Sequence, residues 1–402
     1  MEHGVLTGDN DWRLLDGVAH AWFEAPSHAT GAALVARVAG LTEGSDFPDI
    51  DLRPTGVRVR LAGLGEANVS QARAISAEAR EAGLASNSFV LQVTGLAIDA
   101  SDPASLMAFW RTVLAYRQDD ETRLTDPLRR DATIVFHQDG EPRPLRNRLH
   151  IDIGRPPEEV AAAVAELRLT PSGPYGLMVS DEAGNEVDLV PGGPMSDASD
   201  IAEWRAPFAA MVFYPTPSPE QASALVTSVA GLADDAGIPL LIDIRPEGVT
   251  IDSGKDLWEG PDGPLPAFID LATKIQAAAR DLDLIADPTR PRFMQVVLDV
   301  VDLPAVRGFW TAVLGYTTDP REGVTDIFDP RRLNPVLLFQ RMDSEDHDRR
   351  HQRDRMRLVL SVPDDHLQHR IDTAVAAGGQ VVSTTGGATR LTDPEGNELD
   401  LV

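Results

Sequence analysis

The sequence predicts an α+β protein made by tandem duplication of a two-part unit, and three observations predict it. Ile50-Asp51-Leu52-Arg53-Pro54-Thr55-Gly56-Val57 returns as Ile242-Asp243-Ile244-Arg245-Pro246-Glu247-Gly248-Val249. Gly184-Asn185-Glu186-Val187-Asp188-Leu189-Val190 returns as Gly396-Asn397-Glu398-Leu399-Asp400-Leu401-Val402. Phe109-Trp110 returns as Phe309-Trp310 on a stretch of helical spacing. Repeated segments keep their packing while their chemistry drifts, so the positions where the copies differ are where function is to be sought.

The elements follow in order. Val18 to Phe23 reads as a strand, and Ala29 to Leu41 as a helix through Leu34, Val35 and Val38. Ile50 and Leu52, then Val57, Val59 and Leu61, alternate with polar residues as a strand pair, with Pro54-Thr55-Gly56 as the turn. Val69 to Gly83 is an Ala-rich helix closed by glycine. The same order recurs from Phe208 to Leu284, giving domains over 1–87 and 205–288.

The other repeated unit covers 88–192 and 291–402. Each copy opens with a strand (Phe89 to Ile98; Phe293 to Val300), then a helix headed by Asp102 or Asp302 as cap. Further strands follow around Ala132 to His137 and Val336 to Arg341, then Leu149 to Ile153 and Met356 to Leu360, a second helix, and a last strand after a Gly-Asn turn. That order is two β-α-β-β-β modules in succession. Residues 191–206 and 285–291, rich in Gly, Pro, Asp and Ser, are the expected linkers.

Composition narrows the function. At 402 residues the chain exceeds the size of a single growing core, so roughly two to four domains are expected. No cysteine is present, which excludes disulfides, thiolate nucleophiles and Cys-ligated metals. A net charge of −27 repels phosphate backbones and anionic lipid headgroups, so neither nucleic acid nor a membrane surface is an expected partner. Met1-Glu2-His3-Gly4 opens no signal-like segment, and no apolar run approaches a membrane span, so a cytoplasmic protein is expected.

The units at 88–192 and 291–402 resemble the vicinal oxygen chelate superfamily, the glyoxalase and bleomycin-resistance-like fold. The carrying residues are Asp302-Leu303, Phe309-Trp310, Leu314-Gly315-Tyr316 and Asp393-Pro394-Glu395-Gly396-Asn397-Glu398. The units at 1–87 and 205–288 resemble the pterin-4a-carbinolamine dehydratase fold in their order of elements, the Trp12 start and the Asp46-Phe47-Pro48 stretch. Where that family carries its histidines, this chain has Asp46-Phe47-Pro48 and Gly237-Ile238-Pro239. No imidazole remains there to move protons. The resemblance therefore implies scaffold or dimerisation modules that have lost the dehydration chemistry, and two glyoxalase-like domains paired within one chain as a pseudo-dimer, with further homo-oligomers open.

In metal-using members of the glyoxalase-like family, four ligands converge in the cup of a curved sheet. Carried onto 88–192, those places fall near Gly95, His137, His150 and Asp188, so His137, His150 and Asp188 are the expected ligands of one divalent Fe, Mn, Ni or Zn ion. Strand alternation sets Asp152 on the face of His150, and Glu186 on that of Asp188, which makes Asp152 or Glu186 the candidate general base. In the later copy the same places hold Gln295, Gln340, Arg357 and Asp400. Arginine does not ligate metals. That cup is expected to be metal-free, binding a small acidic or planar molecule or serving as an inactive twin, with Arg357 paired to Asp400 or to an anion.

Trp110 and Trp310 are expected to pack against their sheets rather than to stack on a ligand. The Arg-rich stretch Asp343 to Arg357 reads as a solvated loop with paired charges. Two functional classes follow. One is an enzyme acting on a small oxygenated metabolite, of the lyase or isomerase type, with the metal assisting. The other is a metal-free protein that binds or sequesters a small molecule such as an antibiotic, in a mostly apolar pocket.

Overall fold

In a computed structural model, the described residues are 11–41, 47–63, 65–196 and 199–402. They form two compact units, each drawing on both halves of the chain: Met1–Leu91 with Gly192–Arg292, and Gln92–Pro191 with Phe293–Val402. Asp46 of the segment singled out above lies outside the described residues. Among the described residues no helix is long and apolar enough to cross a membrane.

The first unit is one antiparallel seven-stranded sheet, in the order Trp12–Leu15, Val18–Glu24, Gly56–Ala62, Asp49–Arg53, Leu241–Arg245, Gly248–Asp252, Met211–Pro215. The segments 1–87 and 205–288 are thus not separate sheets. They join edge to edge, with Leu52 opposite Ile242 and Asp51 opposite Asp243. Alternation sends Ile50, Leu52, Val57, Val59, Ile242, Ile244, Val249 and Ile251 into a core shared with helices His28–Ala39, Glu66–Glu81, Pro219–Ala236 and Pro266–Asp281. Two of these four helices begin at hydroxyl caps: Ser27 accepts from the Thr30 N–H, and Ser218 from the Gln221 N–H.

At the junction the repeated Ile-Asp-X-Arg segments explain themselves. Asp51 and Asp243 face each other on neighbouring strands, and each is answered by the other segment's arginine. Arg245 Nη2 donates to Asp51 at 2.6 Å and Arg53 Nη2 to Asp243 at 2.7 Å, all four side chains being buried. Burial pushes the Asp51 carboxyl up, but the guanidiniums of Arg245, Arg58, Arg60 and Arg53 outweigh it and hold the group well below the usual carboxylate range.

The expected linker at 191–206 is a correction. Met195, Ile201 and Trp204 are buried in this unit's core, so these described residues of the segment belong to it. Its Gly, Pro and Ser content hid three isolated anchors.

The second unit holds two mixed sheets around one core. The first runs in the order Met178–Ser180, Glu186–Pro191, Leu149–Arg155, Phe293–Val300, Val336–Arg341, Ile327–Phe328, Thr317–Thr318. The second runs Gln380–Thr385, Ala388–Thr392, Glu398–Leu401, Met356–Ser361, Val93–Ala100, Ile134–Gln138, Arg123–Thr125, Arg117–Gln118. Each sheet therefore takes one β-α-β-β-β module from each copy. The modules are joined where Phe293–Val300 runs antiparallel to Leu149–Arg155, and where Val93–Ala100 runs antiparallel to Met356–Ser361. The ligand places carried onto 88–192 as one cup are thereby divided between two sheets.

Trp110 and Trp310 are fully buried. Each indole Nε1 donates to a buried carboxylate, Asp181 at 2.9 Å and Asp393 at 3.0 Å, which also anchors the Gly-Asn turn through Asn185 or Asn397. Asp302 caps its helix by accepting from the Ala305 N–H, whereas Asp102 makes no side-chain cap bond. The first strand of the earlier copy starts at Val93 rather than at Phe89, which lies in a short 3-10 turn.

Candidate functional site

The Leu149–Arg155 strand sits mid-sheet, with Ile151 and Ile153 in the core and His150 and Asp152 on the opposite, polar face. Register places Asp188 beside Asp152 on one flank and Gln295 beside Asp152 on the other. Glu186 follows Asp188 on the same face by alternation. His150, Asp152 and Asp188 each offer a donor atom, and all three atoms lie within 4.8 Å of one another. His150 Nε2 stands 3.7 Å from Asp152 Oδ1. The Gln295 amide Nε2 donates to Asp152 Oδ2 at 2.8 Å, fixing which way that carboxylate points.

Electrostatics favour a cation here. Burial lowers the His150 imidazole to about 4, with Arg146 and Arg349 pushing the same way against Asp299, so the ring is neutral near pH 7 and able to ligate. Burial, reinforced by Glu186, raises the Asp188 carboxyl, while Arg146 opposes this. His150 is 3 % exposed and Gln295 1 %, yet His150 Nδ1 and Gln295 Oε1 have no hydrogen-bond partner among the described residues. Unsatisfied buried polar atoms of this kind are costly unless a ligand answers them. One imidazole and two carboxylates are a donor set that could hold a divalent transition metal.

The sequence-predicted residues divide between the two sheets. His150, Asp152, Glu186, Asp188, Gln295 and Gln340 share the first polar face; Gln340 lies exposed near the strand end, beside Asp299 in register. His137 is a correction. It is exposed on the second sheet next to Asp99 and does not join His150 and Asp188, because the module carrying it pairs with the later copy. Arg357 and Asp400 are on that second sheet too, and they pair directly, Arg357 Nε donating to Asp400 Oδ2 at 2.6 Å.

The Arg-rich stretch ending at Arg357 is corrected only at its end. The paired charges are there, Arg349 with Asp299 and Arg353 with Glu398, and 343–348 are exposed, but His347–His351 is a short helix and 354–357 are buried, Arg355 with its guanidinium on Asn185 and the Gly184 carbonyl. Sequence reasoning placed Gln295 in a separate cup and so missed its contact with Asp152. The signal that finds it is the exchange of modules, which no single strand announces.

Paired β-α-β-β-β modules presenting a His/Asp/Asp cluster on a sheet face define a protein of the glyoxalase type. The chain belongs to that family: the glyoxalase-like domain matches residues 95–190 and 295–402, just over half of the chain. No curated protein matches the chain. Among solved structures it is similar to the crystal structure of cppA protein from Streptococcus pneumoniae TIGR4, at 7 % identity and a TM-score of 0.32, covering 77 % of this chain and 96 % of that one.

Proposed function

We propose that this chain is an enzyme of the glyoxalase-like type acting on a small oxygenated metabolite, of the lyase or isomerase class, with one divalent Fe, Mn, Ni or Zn ion. The observation that carries the reading is the convergence of His150, Asp152 and Asp188, from two neighbouring strands of one sheet face, with donor atoms within 4.8 Å of one another. Gln295 Nε2 orients Asp152.

When bound, such an ion supplies Lewis acidity towards two neighbouring oxygens of the substrate. The residues of the chain do the rest. His150 and Asp188 position the reacting face, and Glu186, outside the donor cluster and held by Arg146 Nε, is the carboxylate that moves a proton. Gln340, exposed on the same face, contacts the substrate.

The first unit is read as a dehydratase-like scaffold without its chemistry. Its two described histidines, His20 and His28, are buried, and His28 is tied to Asp234 and to the Leu240 carbonyl.

The test is metal content by mass spectrometry on protein purified without a histidine tag, alongside His150→Ala and Asp188→Ala. About one equivalent in the parent and loss in both variants supports the enzyme reading. No metal after reconstitution with Fe(II), Mn(II), Ni(II) or Zn(II) turns the assignment to metal-free binding of a small molecule.

A further inference from the structure

The two polar faces of the second unit are duplicates at their rims and differ at their centres. On the first, Arg146 Nε bonds Glu186 and Arg349 bonds Asp299. On the second, Arg353 Nε bonds Glu398 at 2.8 Å and Arg143 Nη1 bonds Asp99 at 2.9 Å. Register makes the central positions equivalent. Asp152 lies between Asp188 and Gln295, and Val359 lies between Asp400 and Gly95. His150 stands opposite Val297, and Arg357 opposite Ala97.

Thus His150, Asp152 and Gln295 of the first centre become Arg357, Val359 and Gly95 in the second, while Asp188 survives as Asp400. The guanidinium of Arg357 spans two carboxylates, Nη1 on Asp99 and Nε on Asp400, each at 2.6 Å. Arg390, in the register place of Met178, closes on the remaining side of Asp400 at 2.7 and 2.9 Å. Arg357, Asp99 and Asp400 are all buried. Buried carboxylates require a cation, and a planar fork with a permanent charge meets two of them at once.

We infer that the second face carries its cation covalently, the Arg357 guanidinium standing where the first face holds a divalent ion, so that one chain takes up one ion and not two. The count of one rests on the metal reading of the first face; the role of Arg357 does not. Three positions then separate the faces, 357, 359 and 95; an imidazole and a carboxylate at 357 and 359 in place of Arg and Val would rebuild the His/Asp/Asp part of the first centre beside Asp400, with Gly95 unchanged.

The experiment loads the full chain and its Arg357→His/Val359→Asp variant with Mn(II) and counts bound ion by mass spectrometry after desalting. One additional equivalent in the variant is the expected result. Two against one in the parent supports both readings, and one against none supports the role of Arg357 while removing the metal from the first face. A folded variant that binds no more than the parent overturns the inference, and a parent that still holds its ion leaves the first-face reading standing.

Arg357→Gly provides a second measurement should the double variant fail to fold. It should melt well below the parent, and millimolar methylguanidinium should recover most of the loss, or the fold itself, by refilling the space between Asp99 and Asp400. A melting temperature equal to the parent's, or a deficit that methylguanidinium leaves untouched, overturns the inference.

Discussion

Arg245 Nη2 donates to Asp51 Oδ1 at 2.6 Å across the junction where the two halves of the seven-stranded sheet meet. Asp51→Asn takes the carboxylate from both Arg245 and Arg58, which are buried, so it should lower stability by about 3–5 kcal/mol, whereas Arg245→Met leaves Asp51 paired with Arg58 and should cost less. Urea unfolding followed by circular dichroism measures both. A loss under about 1 kcal/mol in Asp51→Asn would show that water or another side chain takes the missing partner's place.

The indoles of Trp110 and Trp310 make matching bonds to Asp181 and Asp393. Phenylalanine at either place keeps an aromatic body but leaves a buried carboxylate short of one donor, which costs about 1.5–3 kcal/mol for a bond to a charged group. The two single variants should lose similar amounts. Strongly unequal losses would mean that the duplicated turns are not energetically equivalent.

Gly56 of the repeated turn has a second purpose besides bending the chain. A Cβ there would lie 2.4 Å from Trp22 Cζ2 and 2.5 Å from the Phe23 carbonyl oxygen. Gly56→Ala should therefore cost about 1–3 kcal/mol through displaced backbone. Its counterpart Gly248 sits at φ +151° with a Cβ position 2.3 Å from the Tyr214 carbonyl oxygen, and Gly248→Ala should be at least as damaging. Thermal midpoints of the two variants check both statements.

His20 gives the first unit an acid-sensitive element. Burial, then the Arg58 and Arg60 guanidiniums, hold its imidazole well below 6.5, while Asp51 opposes them. As pH falls below 6.5 the unfolded chain takes up a proton here that the folded one refuses. The contribution to stability is complete above that pH and is lost on acidification, with a slope of up to about 1.4 kcal/mol per pH unit. His150 acts in the same direction, so the readout is the difference between parent and His20→Gln in urea midpoints measured on either side of pH 6.5. An unchanged acid limb in the variant would assign it to other groups.

Much of the architecture could be read from residue patterns. The alternation of Ile50, Leu52, Val57, Val59 and Leu61 gives a strand pair with one apolar face, and the structure buries all five. The burial of Trp110 and Trp310 followed from their helical spacing. Partner choice between strands did not. The edge of Leu149–Arg155 offers the same backbone groups to any strand of period two, and whether Val93–Ala100 or Phe293–Val300 fills it depends on long-range packing that local periodicity does not encode. That one choice sent His137 away from His150 and brought Gln295 in. Asp152 and Asp188 came through because both sit within a single module of the earlier copy, where alternation along two neighbouring strands is enough to set them side by side.

The exchange of modules has a bearing on symmetry. When two identical chains associate about a two-fold axis, every residue at their junction occurs twice, and the two composite faces are obliged to be the same. Here both copies lie on one polypeptide, so positions 150 and 357 vary independently although they occupy matching places. A self-associating single repeat has no means of being reactive on one side and inert on the other. The covalent link is what allows a histidine to stand in one face and an arginine in its twin.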